Sequence, residues 1–135
     1  MIILDASATA PLILPDESHL LMQRVELCLE RAEVMVPQHW RLEVLNLGLM
    51  AVRRRRLDSE SLWEGIEALL NFRLVVDEET DRRAWEHTRH LATRHRLTAY
   101  DAAYLELAIR HGMELATFDG ELRNAAQAEG ITLVQ

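Results

Sequence analysis

Short apolar runs alternate with longer stretches of helical periodicity along the whole chain. Five runs predict strands, at residues 2–4, 34–36, 74–76, 115–118 and 131–134. Between them, apolar residues that recur at every third or fourth position predict helices. These helices cover residues 6–14, 20–31, 38–55, 58–71, 78–95, 98–111 and 120–129. Strands that alternate with helices imply an α/β fold, in which helices cover both faces of a parallel sheet.

Polar residues, prolines and glycines mark the ends of the predicted helices. The triplet Asp16-Glu17-Ser18 predicts the start of the second helix. Pro11 and Pro15 limit the first helix, because proline lacks the backbone N–H that a helix interior needs. Gly112 is a predicted C-cap. The sequence contains no internal repeat, linker or low-complexity segment, so we expect residues 1–135 to form one domain.

The composition is that of an ordinary soluble globular protein, with 49% hydrophobic and 27% charged residues. Its apolar segments are much shorter than a membrane span, and no signal peptide precedes the first predicted strand. We therefore expect a cytoplasmic protein with no membrane partner. Cys28 is the only cysteine, which excludes an intrachain disulfide and a cysteine-based zinc site within one chain.

The charged residues exclude several classes of phosphate chemistry. The formal net charge of −7 argues against a broad basic surface for non-specific nucleic-acid binding, although it leaves room for a local basic patch. All 15 basic residues are arginines. A P-loop requires a lysine on the phosphates, and response-regulator receivers and haloacid-dehalogenase phosphatases also use a lysine in the site. A chain without lysine fits none of these three classes.

Four carboxylates stand where the predicted elements begin or end. Asp5 follows the first strand, Asp119 follows the fourth, Asp101 lies in the first turn of a helix, and Glu43 lies in the second turn of another. Because ligands of such sheets bind beyond the carboxyl ends of the strands, this spacing permits the four to converge. Crowded carboxylates raise one another's pKa unless a cation joins them, and Mg²⁺ or Mn²⁺ prefers such oxygen ligands.

Ser7 and Thr117 are close in sequence to two of these acids. We expect their hydroxyls to support the acids, or a water bound to a metal, through hydrogen bonds.

Each acid also has a structural interpretation, which the sequence leaves open. Asp101 is the third residue after Thr98, as in a capping box. Asp119 precedes Gly120 and a helix, as an N-cap does. Glu43 fits a solvated helix position. Asp5 is the hardest to explain without a site, because a carboxylate that ends a buried strand is costly unless it has a partner.

Four segments carry a family resemblance, and they span essentially the whole chain in order. They are Ile3-Leu4-Asp5-Ala6-Ser7, Arg41-Leu42-Glu43-Val44-Leu45, Leu97-Thr98-Ala99-Tyr100-Asp101-Ala102-Ala103-Tyr104-Leu105-Glu106-Leu107-Ala108 and Leu115-Ala116-Thr117-Phe118-Asp119-Gly120-Glu121-Leu122. At these residues the chain resembles the PIN-domain nucleases, and especially the VapC-like toxins of bacterial toxin–antitoxin modules. The third and fourth segments are fairly specific in combination, whereas Asp-Ala-Ser alone is a weak signal.

The resemblance implies a three-layer α/β/α domain whose parallel strands have the order 3-2-1-4-5. It implies an endoribonuclease dependent on Mg²⁺ or Mn²⁺, which leaves a 5′-phosphate and a 3′-hydroxyl. The implied acidic cluster is Asp5, Glu43, Asp101 and Asp119. Asp5, Asp101 and Asp119 are expected to hold the metal, while Glu43 shapes the cluster or binds directly. The implied partners are RNA, a second copy in a homodimer, and a cognate antitoxin whose C-terminal segment lies across the active-site groove.

Other charged residues near these motifs have competing interpretations. Glu106 and Glu121 are extra acids, and we expect both to be solvated helix residues. The run Arg53-Arg54-Arg55-Arg56 either complements a helix macrodipole or contacts RNA phosphate or an antitoxin. Arg41, close to Glu43, is the better-placed single residue for a contact with substrate or with an antitoxin carboxylate.

Two other functions fit the same residues. The first is a non-catalytic protein-binding module, in which the acids only cap helices. The second is a PIN-like nuclease of RNA processing that has no antitoxin. Stabilisation by Mg²⁺ or Mn²⁺ separates an enzyme from the binding module, because a ligand of the native state raises its stability. A small open reading frame immediately upstream would favour the toxin.

Overall fold

Four parallel strands form one sheet in a computed structural model that describes residues 1–17, 20–31 and 33–135. The strands are β1 (Ile2–Leu4), β2 (Val34–Val36), β3 (Val75–Val76) and β4 (Glu114–Ala116). Their order is β3-β2-β1-β4, and Ile3 lies opposite Met35 on one side and Leu115 on the other. This parallel sheet, flanked by helices, confirms the predicted α/β class and the strand order 3-2-1-4.

The prediction of a fifth strand is wrong, because residues 131–134 form only an isolated bridge. Leu133 forms a single parallel bridge with Leu115. The Leu115 N–H donates to the Thr132 carbonyl and the Val134 N–H donates to the Leu115 carbonyl, both at 3.0 Å. The ladder stops there because β4 ends at Ala116 and the following residue turns its hydroxyl toward the end of β1.

Helices connect the strands close to the predicted places. They are α1 (Ala6–Ile13), α2 (Leu20–Glu30), α3 (Trp40–Arg53), α4 (Ser59–Leu70), α5 (Thr80–Arg83), α6 (Arg89–His95), α7 (Ala99–His111) and α8 (Gly120–Ala128). The helix predicted over residues 78–95 is interrupted by a π-helical stretch, Ala84–Thr88, between α5 and α6. The predicted start of α2 includes Ser18, which lies outside the described residues.

Local hydrogen bonds account for several helix ends. The Asp58 carboxylate accepts the Ser61 N–H at 2.7 Å and starts α4. The Thr98 hydroxyl accepts the Asp101 N–H at 3.1 Å and starts α7. Gly112 ends α7 at a φ of 62°, which confirms the predicted C-cap, since a left-handed residue at this position favours glycine.

The core is centred on β1 and α7. Ile3 and Leu4 of β1 are fully buried, and an unbroken stretch of α7, residues 102–108, is buried on all sides. Trp40 at the start of α3 is also buried, and its indole N–H donates to the Thr9 hydroxyl at 3.2 Å. None of the helices in the described ranges is long and apolar enough to cross a membrane.

One apolar stripe that predicts helix α3 does not face this core. Leu42, Leu45 and Leu49 are 71%, 37% and 38% exposed. In α4, Leu70 is 63% exposed and Trp63 is 54% exposed. Helical periodicity therefore predicts both helices correctly, but part of the apolar surface is left in contact with solvent.

A second cluster of acids is buried away from the predicted site and is neutralised by arginine. The Arg110 guanidinium donates to Asp77 at 2.8 Å and to Glu106 at 2.9 Å, and it also reaches Glu79. Asp77 is 7% exposed and Glu106 is 5% exposed. The expectation that Glu106 is a solvated residue is wrong, because this pairing with arginine allows a carboxylate to be buried in α7.

Removal of Arg110 should destabilise the fold strongly. We expect Arg110→Met to lower the free energy of unfolding by about 3–5 kcal/mol, because the buried Asp77 and Glu106 carboxylates lose the guanidinium that they share. The measurement is urea denaturation followed by circular dichroism. The control is Arg82→Gln, whose exposed ion pair with Glu79 should contribute at most about 1 kcal/mol. Equal effects of the two substitutions would show that the buried network has no special role.

Candidate active site

Asp5 lies at the point where β1 passes into α1, and it is almost completely buried, at 3% exposed. Its Oδ2 atom accepts two hydroxyl hydrogen bonds, from Ser7 at 2.5 Å and from Thr117 at 2.6 Å. Burial raises the pKa of Asp5 above its ordinary value, and these two hydrogen bonds oppose that rise. Both hydroxyls therefore hold the buried Asp5 carboxylate in place.

The same hydroxyls tie the loop after β4 to the loop after β1. Ser7 Oγ accepts the Phe118 N–H at 2.9 Å, and Thr117 Oγ1 accepts the Asp119 N–H at 3.1 Å. Since β1 and β4 are neighbours in the sheet, Asp5 and Asp119 emerge at the same edge. The structure thus brings the first and last predicted acids to one place.

Glu43 is held by two side chains that do not appear among the predicted site residues. The Tyr104 hydroxyl donates to Glu43 Oε1 at 2.7 Å. His39 Nε2 lies 3.1 Å from the same Glu43 oxygen and 3.2 Å from the Tyr100 carbonyl. Because both neighbours of Nε2 are acceptors, this nitrogen carries the proton in the arrangement seen here.

The ring of His39 is fixed by its aromatic neighbours as well as by hydrogen bonds. It packs against Tyr100 at 5.6 Å and edge-to-face against Tyr104 at 5.3 Å, measured between ring centroids. Tyr104 was visible in the sequence as part of the Tyr-Asp-Ala-Ala-Tyr-Leu segment. Its place three residues after Asp101 was the available signal, since residues at that spacing share a helix face.

Asp101 has the most perturbed carboxyl group of the four acids. Burial raises its pKa to about 6, together with the nearby charges of Asp5, Asp119 and Glu43. The Thr98 hydroxyl acts in the opposite direction, and it also caps α7 by accepting the Asp101 N–H. The capping interpretation is therefore correct for Thr98, and it coexists with the position of Asp101 beside the other acids.

Asp119 also has a structural role. Its Oδ1 atom accepts the Leu122 N–H at 2.8 Å, so that Asp119 is the N-cap of α8. This confirms the N-cap interpretation without removing Asp119 from the cluster, because its charge still acts on Asp101.

Arg41 is exposed at the start of α3, two residues before Glu43, and it lines a separate apolar groove between α3 and α4.

The structure thus gathers Asp5, Glu43, Asp101 and Asp119, which we call the acidic cluster. A cavity of about 150 Å³ beside it is lined by Asp5, Ser7, Glu43 and Asn46, among others. In residues 1–17, 20–31 and 33–135, no three Asp, Glu, His or Cys side chains lie close enough to hold a metal ion together. Glu43 is turned toward Tyr104, and Asp119 toward the backbone of α8.

The chemistry of these donors nevertheless fits a hard divalent cation. Within the described residues no arginine forms an ion pair with any member of the acidic cluster, in contrast to the arginine network around Asp77. The burial and the like charges that raise the pKa of Asp101 are therefore not offset by an arginine of the described residues. A cation such as Mg²⁺ or Mn²⁺ prefers oxygen ligands, and it would offset the negative charge of these carboxylates.

A parallel α/β sheet with carboxylates gathered at one edge is an arrangement suited to phosphodiester hydrolysis. The sequence profile of the PIN domain matches residues 2–128, nearly the whole chain. The chain belongs to the PIN-domain family.

Relatives and solved structures agree with this assignment. Ribonuclease VapC3 of Pyrobaculum aerophilum is 30% identical over 129 residues, which cover 90% of this chain and 91% of that protein. The crystal structure of PAE2754 from Pyrobaculum aerophilum has a TM-score of 0.68 at 21% identity, over 92% of this chain and 83% of that chain. The crystal structure of FitAcB from Neisseria gonorrhoeae has a TM-score of 0.55 at 19% identity, over 100% of this chain and 97% of that chain. The two structures share the fold of this chain.

Asp101→Asn should stabilise the protein at neutral pH. The pKa of Asp101 is raised from 3.8 to about 6 in the folded state, so the folded protein binds the proton more tightly than the unfolded chain. The stability contributed by the protonated acid is complete below about pH 4 and is lost as the pH rises through about 6. The melting temperature of Asp101→Asn should therefore exceed that of the wild type by a few degrees near pH 8, with a much smaller gap near pH 4.

Asp81→Asn is the matched control, because Asp81 is exposed on α5 and lies outside the acidic cluster. Its melting temperature should follow that of the wild type at every pH. A gap in melting temperature for Asp101→Asn that does not depend on pH would contradict the raised pKa of Asp101.

Proposed function

We propose that this chain is a metal-dependent endoribonuclease of the toxin type, in which residues 1–135 form one PIN domain. The observation that carries the proposal is the gathering of four carboxylates, none of them paired with an arginine of the described residues, at the edge where the strands end. The PIN family assignment and the 30% identity to a protein named Ribonuclease VapC3 support an RNA substrate. Because cellular RNA is the proposed substrate, the proposal also places the protein in the cytoplasm.

In this proposal Asp5, Asp101 and Asp119 hold Mg²⁺ or Mn²⁺, and Glu43 shapes the cluster or binds directly. When bound, a divalent cation makes water more acidic and stabilises charge on the phosphoryl oxygens. Hydrolysis then leaves a 5′-phosphate and a 3′-hydroxyl.

The chain's own contribution is to hold the carboxylates in place. Ser7 and Thr117 fix one oxygen of Asp5. Tyr104 and His39 fix one oxygen of Glu43, so the other oxygen of this carboxylate can face the cavity. Hydroxyl and imidazole donors that orient ligand oxygens in this way are typical supports of metal sites.

Asp5→Asn should abolish RNA cleavage while the protein stays folded. The substitution keeps the shape of the side chain but removes a charged oxygen donor, and we expect at least about a hundredfold loss of rate. The measurement is cleavage of total cellular RNA with Mg²⁺ or Mn²⁺, followed by sequencing of the new ends. Asp81→Asn, outside the acidic cluster, is the control and should cleave at the wild-type rate. Wild-type cleavage by Asp5→Asn would refute the proposal.

Addition of Mn²⁺ separates the enzyme from a non-catalytic binding module. Saturation at about a hundred times the dissociation constant should stabilise the native state by roughly 2.7 kcal/mol. The melting temperature of the wild type should therefore rise with Mn²⁺, and that of Asp5→Asn should rise much less. No shift for either protein would favour the module in which the acids only cap helices.

We also propose a cognate antitoxin as the protein partner. The exposed apolar residues of α3 and α4 support a protein contact, because a patch such as Leu42, Leu45, Trp63 and Leu70 is costly to leave in water. Leu45, Trp63 and Leu70 line a groove of about 290 Å³, and Arg41 is also part of its lining. An antitoxin segment with apolar and acidic side chains would match this surface. Without an antitoxin, the chain would instead be a PIN-like nuclease of RNA processing.

Leu45→Asp should disrupt neutralisation by the antitoxin without affecting cleavage. We expect induced expression of the wild type to arrest growth, and coexpression of the small protein encoded immediately upstream to restore it. Leu45→Asp should still arrest growth but escape rescue, because a carboxylate then lies in an apolar contact. Leu20→Asp, on the 95% exposed Leu20 of α2, is the control and should still be rescued.

Rescue of Leu45→Asp as efficient as that of the wild type would contradict the assignment of this surface. The homodimer implied by the family resemblance stays a prediction. Sedimentation equilibrium of the wild type and of Leu45→Asp tests it directly.

A further inference from the structure

The end of α3 carries the densest positive charge of the chain. Arg53, Arg54 and Arg55 are exposed, and within the described residues none of them forms an ion pair. Their neighbour Arg56 differs, since it is bound to Asp16 and Glu17 at 3.1 Å. Three exposed guanidinium groups therefore lie together in a protein whose net charge is −7.

Arg54 lies on the same side of α3 as Glu43, and Arg53 and Arg55 flank it at the end of the helix. Residues at intervals of three, four, seven and eleven share a helix face, so Glu43 is followed along one side by Asn46, Met50 and Arg54. Asn46 and Met50 are both exposed, and Asn46 also lines the cavity beside Asp5. An open strip thus leads from Glu43 to the arginines, with a rise of about 16 Å along the helix axis.

Arg55 occupies a backbone conformation that favours glycine. The Arg56 N–H donates to the Ala51 carbonyl at 2.9 Å, and the Arg55 N–H donates to the Val52 carbonyl at 3.0 Å. This pair of bonds is a Schellman motif, in which the left-handed residue is usually glycine. Here the residue is Arg55, with a φ of 58°. An arginine is strained in this left-handed conformation, so its presence there indicates a function for the Arg55 side chain.

RNA is the partner that this strip fits best. A single strand bound at the acidic cluster carries further phosphates on either side of the cleaved bond. The strip rises by about 16 Å along the helix, which is long enough to contact more than one of these phosphates. Exposed guanidinium groups bind phosphates through bidentate hydrogen bonds. These contacts contribute affinity that does not depend on the RNA sequence.

We propose that Arg53, Arg54 and Arg55 bind the phosphate backbone of the RNA substrate, along the α3 strip that begins at Glu43. This inference rests on the proposed ribonuclease function. It goes beyond that function by assigning a second contact site, which holds the strand on one side of the cleaved bond.

Salt dependence of RNA binding tests the proposal. The probe is a fluorescein-labelled single-stranded RNA of mixed sequence and about 20 nucleotides, longer than a typical single-strand site. Binding is measured by fluorescence anisotropy in the Asp5→Asn background, so that cleavage does not interfere. Arg53→Gln with Arg54→Gln should reduce the slope of log affinity against log salt by about 1.4, since each phosphate contact on a single strand contributes about 0.7. Affinity at low salt should fall at least about tenfold.

Two further variants make the test specific. Arg31→Gln with Arg73→Gln removes the same charge from exposed arginines that are not on α3 and form no ion pair in the described ranges. This control should leave the slope unchanged. Arg55→Gly should reduce the slope by about 0.7 while the melting temperature stays equal or rises, because glycine relieves the left-handed backbone.

The outcomes separate this inference from the proposed function. If the α3 variants keep the wild-type slope while Asp5→Asn abolishes cleavage, the ribonuclease stands and the α3 strip is refuted. If an equal loss appears in the Arg31 and Arg73 control, the effect is one of net charge and the proposal fails. If the α3 variants keep the slope of log affinity for RNA against log salt but lose binding to poly-glutamate, these arginines bind an acidic protein segment instead.

Discussion

The hydrogen bonds from Ser7 and Thr117 to Asp5 are the contact on which the rest of the site depends. They hold a carboxylate that is 3% exposed at the junction of β1 and α1. They also join the loop after β4 to the loop after β1, and so set the position of Asp119. This local constraint stabilises a charged group in the interior and at the same time leaves the neighbouring acids near it.

The molecule contains acids in two different environments. Around Arg110, burial raises the pKa of Asp77, but the hydrogen bonds from Arg110 and Thr80 leave it below its ordinary value. In the acidic cluster, burial and neighbouring charge raise the pKa of Asp101 to about 6. The first environment stabilises the fold through charge neutralisation. In the second, burial and like charges are left without an arginine partner, and a bound cation would relieve them.

Helix α3 contacts the core with one side, the acidic cluster with a second side and solvent with a third. One side packs Trp40, Val44 and Ala51 into the core. A second side carries Glu43 toward the cavity and leads to the arginines at its end. The third is the exposed apolar stripe around Leu45. A single helix therefore connects the stable core, the proposed catalytic site and the proposed surface for a protein partner, and a change on one side need not disturb the others.

The sequence alone determined the α/β class and most helix bounds, because periodicity and capping residues act over a few neighbouring positions. The order of the first four strands followed from the family resemblance, not from these local patterns. The sequence also identified Asp5, Ser7 and Thr117, since residues at strand ends meet wherever the strands are parallel. Only the tertiary structure decided that Glu106 is buried, that Leu45 is exposed and that Tyr104 holds Glu43. These outcomes depend on contacts between residues far apart in the chain, which no local pattern records.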